Sequence, residues 1–172
     1  MGVSTIERED AMTFRVWSND LVDGGRLPDA QVFDGMGYAG GNLSPHLAWE
    51  GEPPGAAGFA VTCYDPDAPT GSGWWHWIVS GIPASVHELP TGAGSGKGGL
   101  PAGAVQSRTD FGFSHFGGAA PPRGEVHRYI FTVHAVSTAD LGVDEHASGA
   151  LVGFMINANR LAQASLTVTF GG

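Results

Sequence analysis

The chain has 172 residues, enough for one domain, with 42% hydrophobic and 15% charged residues, so a disordered chain is excluded. A formal net charge of -9 and a single lysine, Lys97, exclude the basic face that nucleic acid or an anionic membrane surface requires. No apolar run approaches the ~18 residues of a membrane span.

The polar, acidic start carries no signal-peptide pattern, and residues 1–11 read as a flexible extension to one domain over 12–172. A lone cysteine, Cys63, allows no internal disulfide and suits a reducing, cytoplasmic setting. Glycine and proline are spread along the chain, which predicts many turns and no linker.

In chain order, Met12–Ser18 alternates as a strand. Gly58–Tyr64 is an apolar run of the kind a buried strand carries, and Trp74–Ser80 is a second. In that second run alternation puts Trp74, His76 and Ile78 on one face and Trp75, Trp77 and Val79 on the other. Thr91–Gly103 is a low-complexity loop, long enough to be mobile or functional. Arg128–Val136 is the clearest strand and Leu166–Phe170 the last. Only one segment has helical spacing, through Ala147, Ala150, Leu151, Phe154, Met155, Ala158 and Leu161. The class is mainly β, antiparallel, with one C-terminal helix.

Three polar residues fall where strands meet loops. Asp65 ends one strand, His76 lies in the next, and His127 opens the strand that carries Tyr129, Phe131 and Val133 on the same face. Each histidine can be a semi-buried residue satisfied by a backbone carbonyl. Together, an Asp/His/His cluster could hold a small anion through imidazolium donors or shuttle a proton. No metal-ligand spacing supports a metal, and no cofactor motif is present. The segment from Asp65 through Asp67 and Pro69 to Gly73 is equally a rigid turn. Gly117–Pro122 is equally a plain loop or a nest of backbone N–H groups for an anion.

DPDAPTGSGWWHW (65–77) and GGAAPPRGEVHRYIFTVHAV (117–136) resemble the two signature regions of the phosphatidylethanolamine-binding proteins. That family includes Raf kinase inhibitor protein and the plant flowering regulators. The chain is most similar to its bacterial, Raf-kinase-inhibitor-like branch, also at Gly35–Tyr38, Asn42–Trp49 and Ala164–Thr167. The resemblance implies a large antiparallel sheet packed on a smaller one, with peripheral helices. It implies a sheet-edge pocket for phosphate, acetate or a phosphorylethanolamine head group. Asp65, His76 and His127 would be its polar residues. Gly118, Ala120, Pro121 and Pro122 would shape the rim, and Asp67 and Pro69 the first loop. It further implies a homodimer and a cis peptide near Ser72–Gly73.

The pattern departs from the family at His115 and Phe116, where glycine and tyrosine are expected. It departs again at Asn157-Ala158-Asn159, where bacterial relatives read H-x-H. Three functions follow as expectations. The first is a small-anion-binding protein. The second is an enzyme (isomerase, cyclase or lyase) using Asp65, His76, His127 and an added acid/base, His115, in catalysis. The third is a protein-interaction regulator of kinase-inhibitor type.

Overall fold

A computed structural model describes residues 13–172. Residues 1–11 and Met12, with the extension expected there, lie outside the described residues. The order is β1 (Arg15–Trp17), β2 (Leu47–Glu50), β3 (Gly58–Asp65), β4 (Trp74–Pro83), β5 (Glu88–Leu89), β6 (Val105–Gln106), β7 (Val126–Val136), α1 (Gly149–Asn159) and β8 (Arg160–Gly171). The large sheet runs β6-β4-β3-β7-β8 and the small one β1-β2-β5, every pairing antiparallel.

The main core fills the space between the sheets. Trp49, Phe59, Val61, Trp77, Val79, Phe131 and Val133 are all buried there. A second cluster, Ala60, Ile78, Leu141, Val152 and Ile156, covers the opposite face of the large sheet beneath α1. Strand β3 is therefore buried on both faces, which is why it reads as an apolar run rather than an alternation.

Two departures from simple periodicity matter for the site. In the β3–β4 register Cys63 pairs with Trp77 and Tyr64 with Trp75, which leaves His76 as the extra residue of a β-bulge. The bulge shifts the alternation. Trp77 and Val79 join the inter-sheet core and Ile78 joins Trp75 on the outer face, so His76 and Ile78 do not share a face. The carbonyl that the bulge frees at His76 accepts from Gly117 N–H at 3.0 Å, tying the two signature segments together.

Helix α1 is where expected but turns another side inward. Ser148 caps its N-terminus by accepting from Leu151 N–H, and Val152 and Ile156 are the buried pair. Leu151 and Phe154, assigned to the inner face by periodicity, are exposed, and Leu161, expected on the helix, lies in β8. The segment is apolar nearly all round, so spacing alone does not choose a face. Ile156→Ala is therefore expected to cost about 2–5 kcal/mol, and Phe154→Ala under about 0.5 kcal/mol, in denaturant unfolding. Equal costs would reverse the assignment of the buried face.

The Thr91–Gly103 loop is packed in its first half. Ala93–Ser95 forms a short 3-10 turn with Ala93 and Gly94 buried. Gly94 lies flat on the Trp77 indole, where a Cβ would meet Nε1 at 2.5 Å. Its N–H donates to the Ser44 hydroxyl and its carbonyl accepts from Phe116 N–H. No described helix is long and apolar enough to cross a membrane.

Candidate functional site

A cavity of about 170 Å³ opens at the end of the large sheet where β3, β4 and β7 meet the two signature loops. Asp65, His76, His127 and Tyr129 line it from the strands. Ala68 and Pro69 line it from the first loop, Phe111 from the segment between, and Ala120, Pro121 and Pro122 from the second loop.

Asp65 is 2% exposed and is held from three directions. Its Oδ1 accepts from the N–H groups of Asp67 at 2.8 Å and Ala68 at 3.1 Å, an Asx turn that the following proline-rich loop stabilises. Its Oδ2 accepts from His127 Nδ1–H at 2.7 Å. On the far side of the ring, His127 Nε2–H donates to Glu125 Oε2 at 2.6 Å. Burial works against charge on His127, but the hydrogen bonds to Glu125 and Asp65 outweigh it and raise the imidazole above its ordinary value. His127 is thus buried between two carboxylates that favour its charged form.

His76 is in the opposite state. Its Nδ1–H donates to the Gly117 carbonyl at 2.7 Å, which fixes the tautomer and leaves Nε2 as a bare acceptor. Burial lowers its proton affinity, only partly countered by the carbonyls of Gly117 and Gly118 and by the charge of Asp65. The ring stands edge-on to Tyr129 at 5.1 Å and Phe111 at 5.4 Å. So the two histidines are shifted in opposite directions, His127 toward the charged form and His76 toward the neutral one, although the sequence treats them alike.

Two lining residues also carry polar groups without partners. The Trp74 Nε1–H and the Tyr129 hydroxyl belong to cavity-lining residues, and both are buried without a partner among the described residues. Burial and the nearby Asp65 charge push the Tyr129 phenol far up, so it stays protonated. In the second loop the N–H groups of Gly117, Gly118 and Ala119 are all consumed by protein acceptors: the His76 carbonyl, Asn42 Oδ1 and the Gln31 carbonyl. The glycine stretch is thus a docking strip against neighbouring backbone and not an anion nest. A Cβ on Gly118 would run into the backbone of Gln31 to Phe33, which is why that position is glycine. The next amide, Ala120, has no acceptor among the described residues.

The other expected residues fall outside the cavity. Asp67 turns away to a bidentate pair with Arg128, at 2.9 and 2.8 Å, which lowers its carboxyl to about 2. It shapes the first loop, with its N–H on Asp65. His115 is exposed, stacks on Phe113 at 3.9 Å, and borders a separate groove with Asn42 and Lys97. Its Nδ1–H donates to the Phe116 carbonyl, and its ring is not part of the lining of the Asp/His/His cavity. Asn159 caps the end of α1 through the Met155 carbonyl, and Asn157 accepts from Arg160, both away from the cavity. The Ser72–Gly73 peptide is trans, as are all the described peptides. Gly73, at φ +71°, closes that turn where a Cβ would collide with the Tyr64 hydroxyl.

Sequence reasoning passed over Glu125, Trp74 and Tyr129. The signal for Glu125 was available, because residues two apart on a strand share a side and Glu125 precedes His127 by two. No group of histidine, cysteine and carboxylate side chains among the described residues is arranged to hold a metal ion.

Comparison with known proteins accounts for this architecture. The family model for phosphatidylethanolamine-binding protein matches residues 17–171. The chain is 60% identical to the UPF0098 protein YbhB of Escherichia coli over 153 residues, covering 89% of this chain and 97% of YbhB. It is 54% identical to YbcL of the same organism over 162 residues, covering 93% of this chain and 88% of YbcL. The crystal structure of YbcL, described as a new member of the mammalian PEBP family, superposes with a TM-score of 0.90 at 53% identity, over 92% of this chain and 98% of that one. A Chlamydia trachomatis homologue at 24% identity shares the fold with a TM-score of 0.77, over 92% of this chain and 97% of that one. With both signature segments meeting at one cavity and the match spanning nearly the whole chain, this protein belongs to the phosphatidylethanolamine-binding protein family.

Proposed function

We propose that this protein binds a small anionic ligand, of the phosphate, carboxylate or phosphoryl head-group class, in the Asp65–His76–His127 cavity. One observation carries the reading: a buried His127, its imidazole raised toward the charged form, lines a cavity together with Trp74 and Tyr129, whose buried donors have no partner among the described residues. Buried polar groups are normally paired, so donors left open together call for an acceptor-rich occupant. The free Ala120 N–H at the rim adds a third donor of the same kind. A volume of about 170 Å³ suits a head group; drug-sized pockets start at roughly 300 Å³. The bare Nε2 of His76 is an acceptor, so it pairs with the one acidic proton that a monoprotonated phosphate or phosphate ester retains. The free, buried Cys63 fits a reducing, cytoplasmic setting.

The catalytic alternative adds His115 as an acid/base to Asp65, His76 and His127, with Asn157 and Asn159 nearby; His115 and Asn157 border other surfaces, and Asn159 is hydrogen-bonded to the Met155 carbonyl. Nothing in the site favours it over binding.

Calorimetric titration with phosphate, phosphorylethanolamine and acetate tests the reading. Saturable binding is expected for the native chain and its loss for His127→Ala. Because His127 keeps its proton to higher pH than an ordinary histidine, affinity should hold near pH 6 and fall as pH rises past that raised value. Binding that is absent, or indifferent to His127→Ala, would overturn the reading.

A further inference from the structure

The two hydrogen-bonding positions of His127 are both taken before any ligand arrives. Nδ1–H is committed to Asp65 and Nε2–H to Glu125. The two carboxylates are not equivalent. The Asp65 side chain is 3% exposed and pinned by two backbone N–H groups. Glu125 has a side chain that is 45% exposed, and His127 is its one hydrogen-bond partner among the described residues. Its backbone is fixed: the N–H donates to the Pro122 carbonyl and the carbonyl accepts from Gly172 N–H. Release therefore needs only a side-chain rotation, with no movement of the loop.

We propose that Glu125 is an internal competitor, a tethered carboxylate that occupies the Nε2–H of His127 and must swing out when an anionic ligand binds. This rests on the anion-binding reading above and assigns a specificity-determining role within it. A carboxylate held at 2.6 Å makes a charge-assisted hydrogen bond of the kind an external phosphate or carboxylate would make. Because the competitor is tethered, its effective concentration is high, and only ligands offering a better acceptor displace it. Weak acceptors are refused, and the Nε2–H of His127 does not stand open when the cavity is empty. Without ligand, Asp65 and Glu125 together outnumber the one imidazolium, which repels anions that cannot take the place of Glu125.

The test is a calorimetric titration of the full chain with inorganic phosphate at pH 6.0, comparing the native protein, Glu125→Ala and Glu145→Gln. Glu145 is an exposed carboxylate on the turn before α1 and controls for the loss of one charge from an acidic chain. Glu125→Ala is expected to bind phosphate about tenfold more tightly, the scale of one charge-assisted hydrogen bond. Glu145→Gln is expected to match the native protein. Unchanged or weaker binding by Glu125→Ala, with the native chain still binding, overturns the competitor role and leaves the anion reading standing. An equal gain in both variants overturns it too, by assigning the effect to net charge. No binding by any of the three overturns both readings together.

A second readout is independent of affinity. In the native protein, saturating phosphate should move the Glu125 carboxyl carbon resonance and the His127 Nε2 resonance together, while the Asp65 carboxyl carbon stays in place. A Glu125 resonance that stays in place while phosphate binds overturns displacement.

Discussion

Asp65→Ala should cost the fold about 3–5 kcal/mol, the cost of removing one partner from a buried ion pair. Asp65 and His127 are 2% and 3% exposed, so water does not replace the lost carboxylate. The same change strips the acceptor from the N–H groups of Asp67 and Ala68, and so loosens the loop that forms one wall of the cavity. Glu125 remains on the other side of the imidazole, which places the cost at the lower end of that range. Asp65→Asn keeps an acceptor for the two backbone groups and should cost less. Urea unfolding of the single variants, of His127→Ala and of the double variant measures this directly. A coupling below about 0.5 kcal/mol between the two positions would mean that the pair does not act as a unit.

Acid should weaken the fold through a different histidine. His134 sits in β7 on the outer face of the large sheet, 8% exposed. One ring nitrogen, Nε2, is 3.1 Å from the Thr62 hydroxyl, and Nδ1 is buried without a partner. Burial first, and the charge of Arg160 second, lower its imidazole to about 4. Ala60 and Gln163 pair with it across the sheet, Thr62, Phe154, Ile156 and Asn157 line one groove with it, and among the described residues no carboxylate favours its charged form.

The unfolded chain therefore takes up this proton first as pH falls. The contribution is intact above about 6.5 and lost progressively down to about 4, amounting to about 3 kcal/mol at the acid end. His76, also lowered by burial, acts in the same sense. His127 acts in the opposite sense: its stabilisation is present at low pH and fades as pH rises through its raised value. Denaturant unfolding of native and His134→Gln proteins from pH 7.5 to 4 isolates the His134 share. The native protein should lose about 3 kcal/mol more than the variant. Parallel curves would show that His134 charges without cost.

The two long signature segments carried most of what could be read beforehand. Their irregular order of Asp, Pro, Gly, Trp and His has few other uses, so the family and the pairing of two sheets were legible from them. Strands β3, β4, β7 and the second half of β8 were legible because β-branched and aromatic runs between turn residues are local signals. Asp65 and His127 sit at strand ends, and two strands ending together bring their last residues together.

The inner face of α1 was not legible. A helix with Leu151, Phe154, Val152 and Ile156 around it offers two apolar stripes, and the sheet beneath selects one. His115 looked catalytic because it departs from the family pattern. Its stacking on Phe113 turns it to another groove, and that depends on where residues 111–116 cross the sheet edge.

The family, the mainly β class, five of the eight strands and the identity of the Asp/His/His trio followed from residue types and short-range order, whereas the short strands β2, β5 and β6 did not. Folding in three dimensions set the bulge that rephases β4 at His76, the lowered proton affinity of His76 beside the raised one of His127, and the use of the Gly117–Ala119 amides by distant protein acceptors. Each depends on a partner tens of residues away or on the exclusion of water. Periodicity along one strand contains neither.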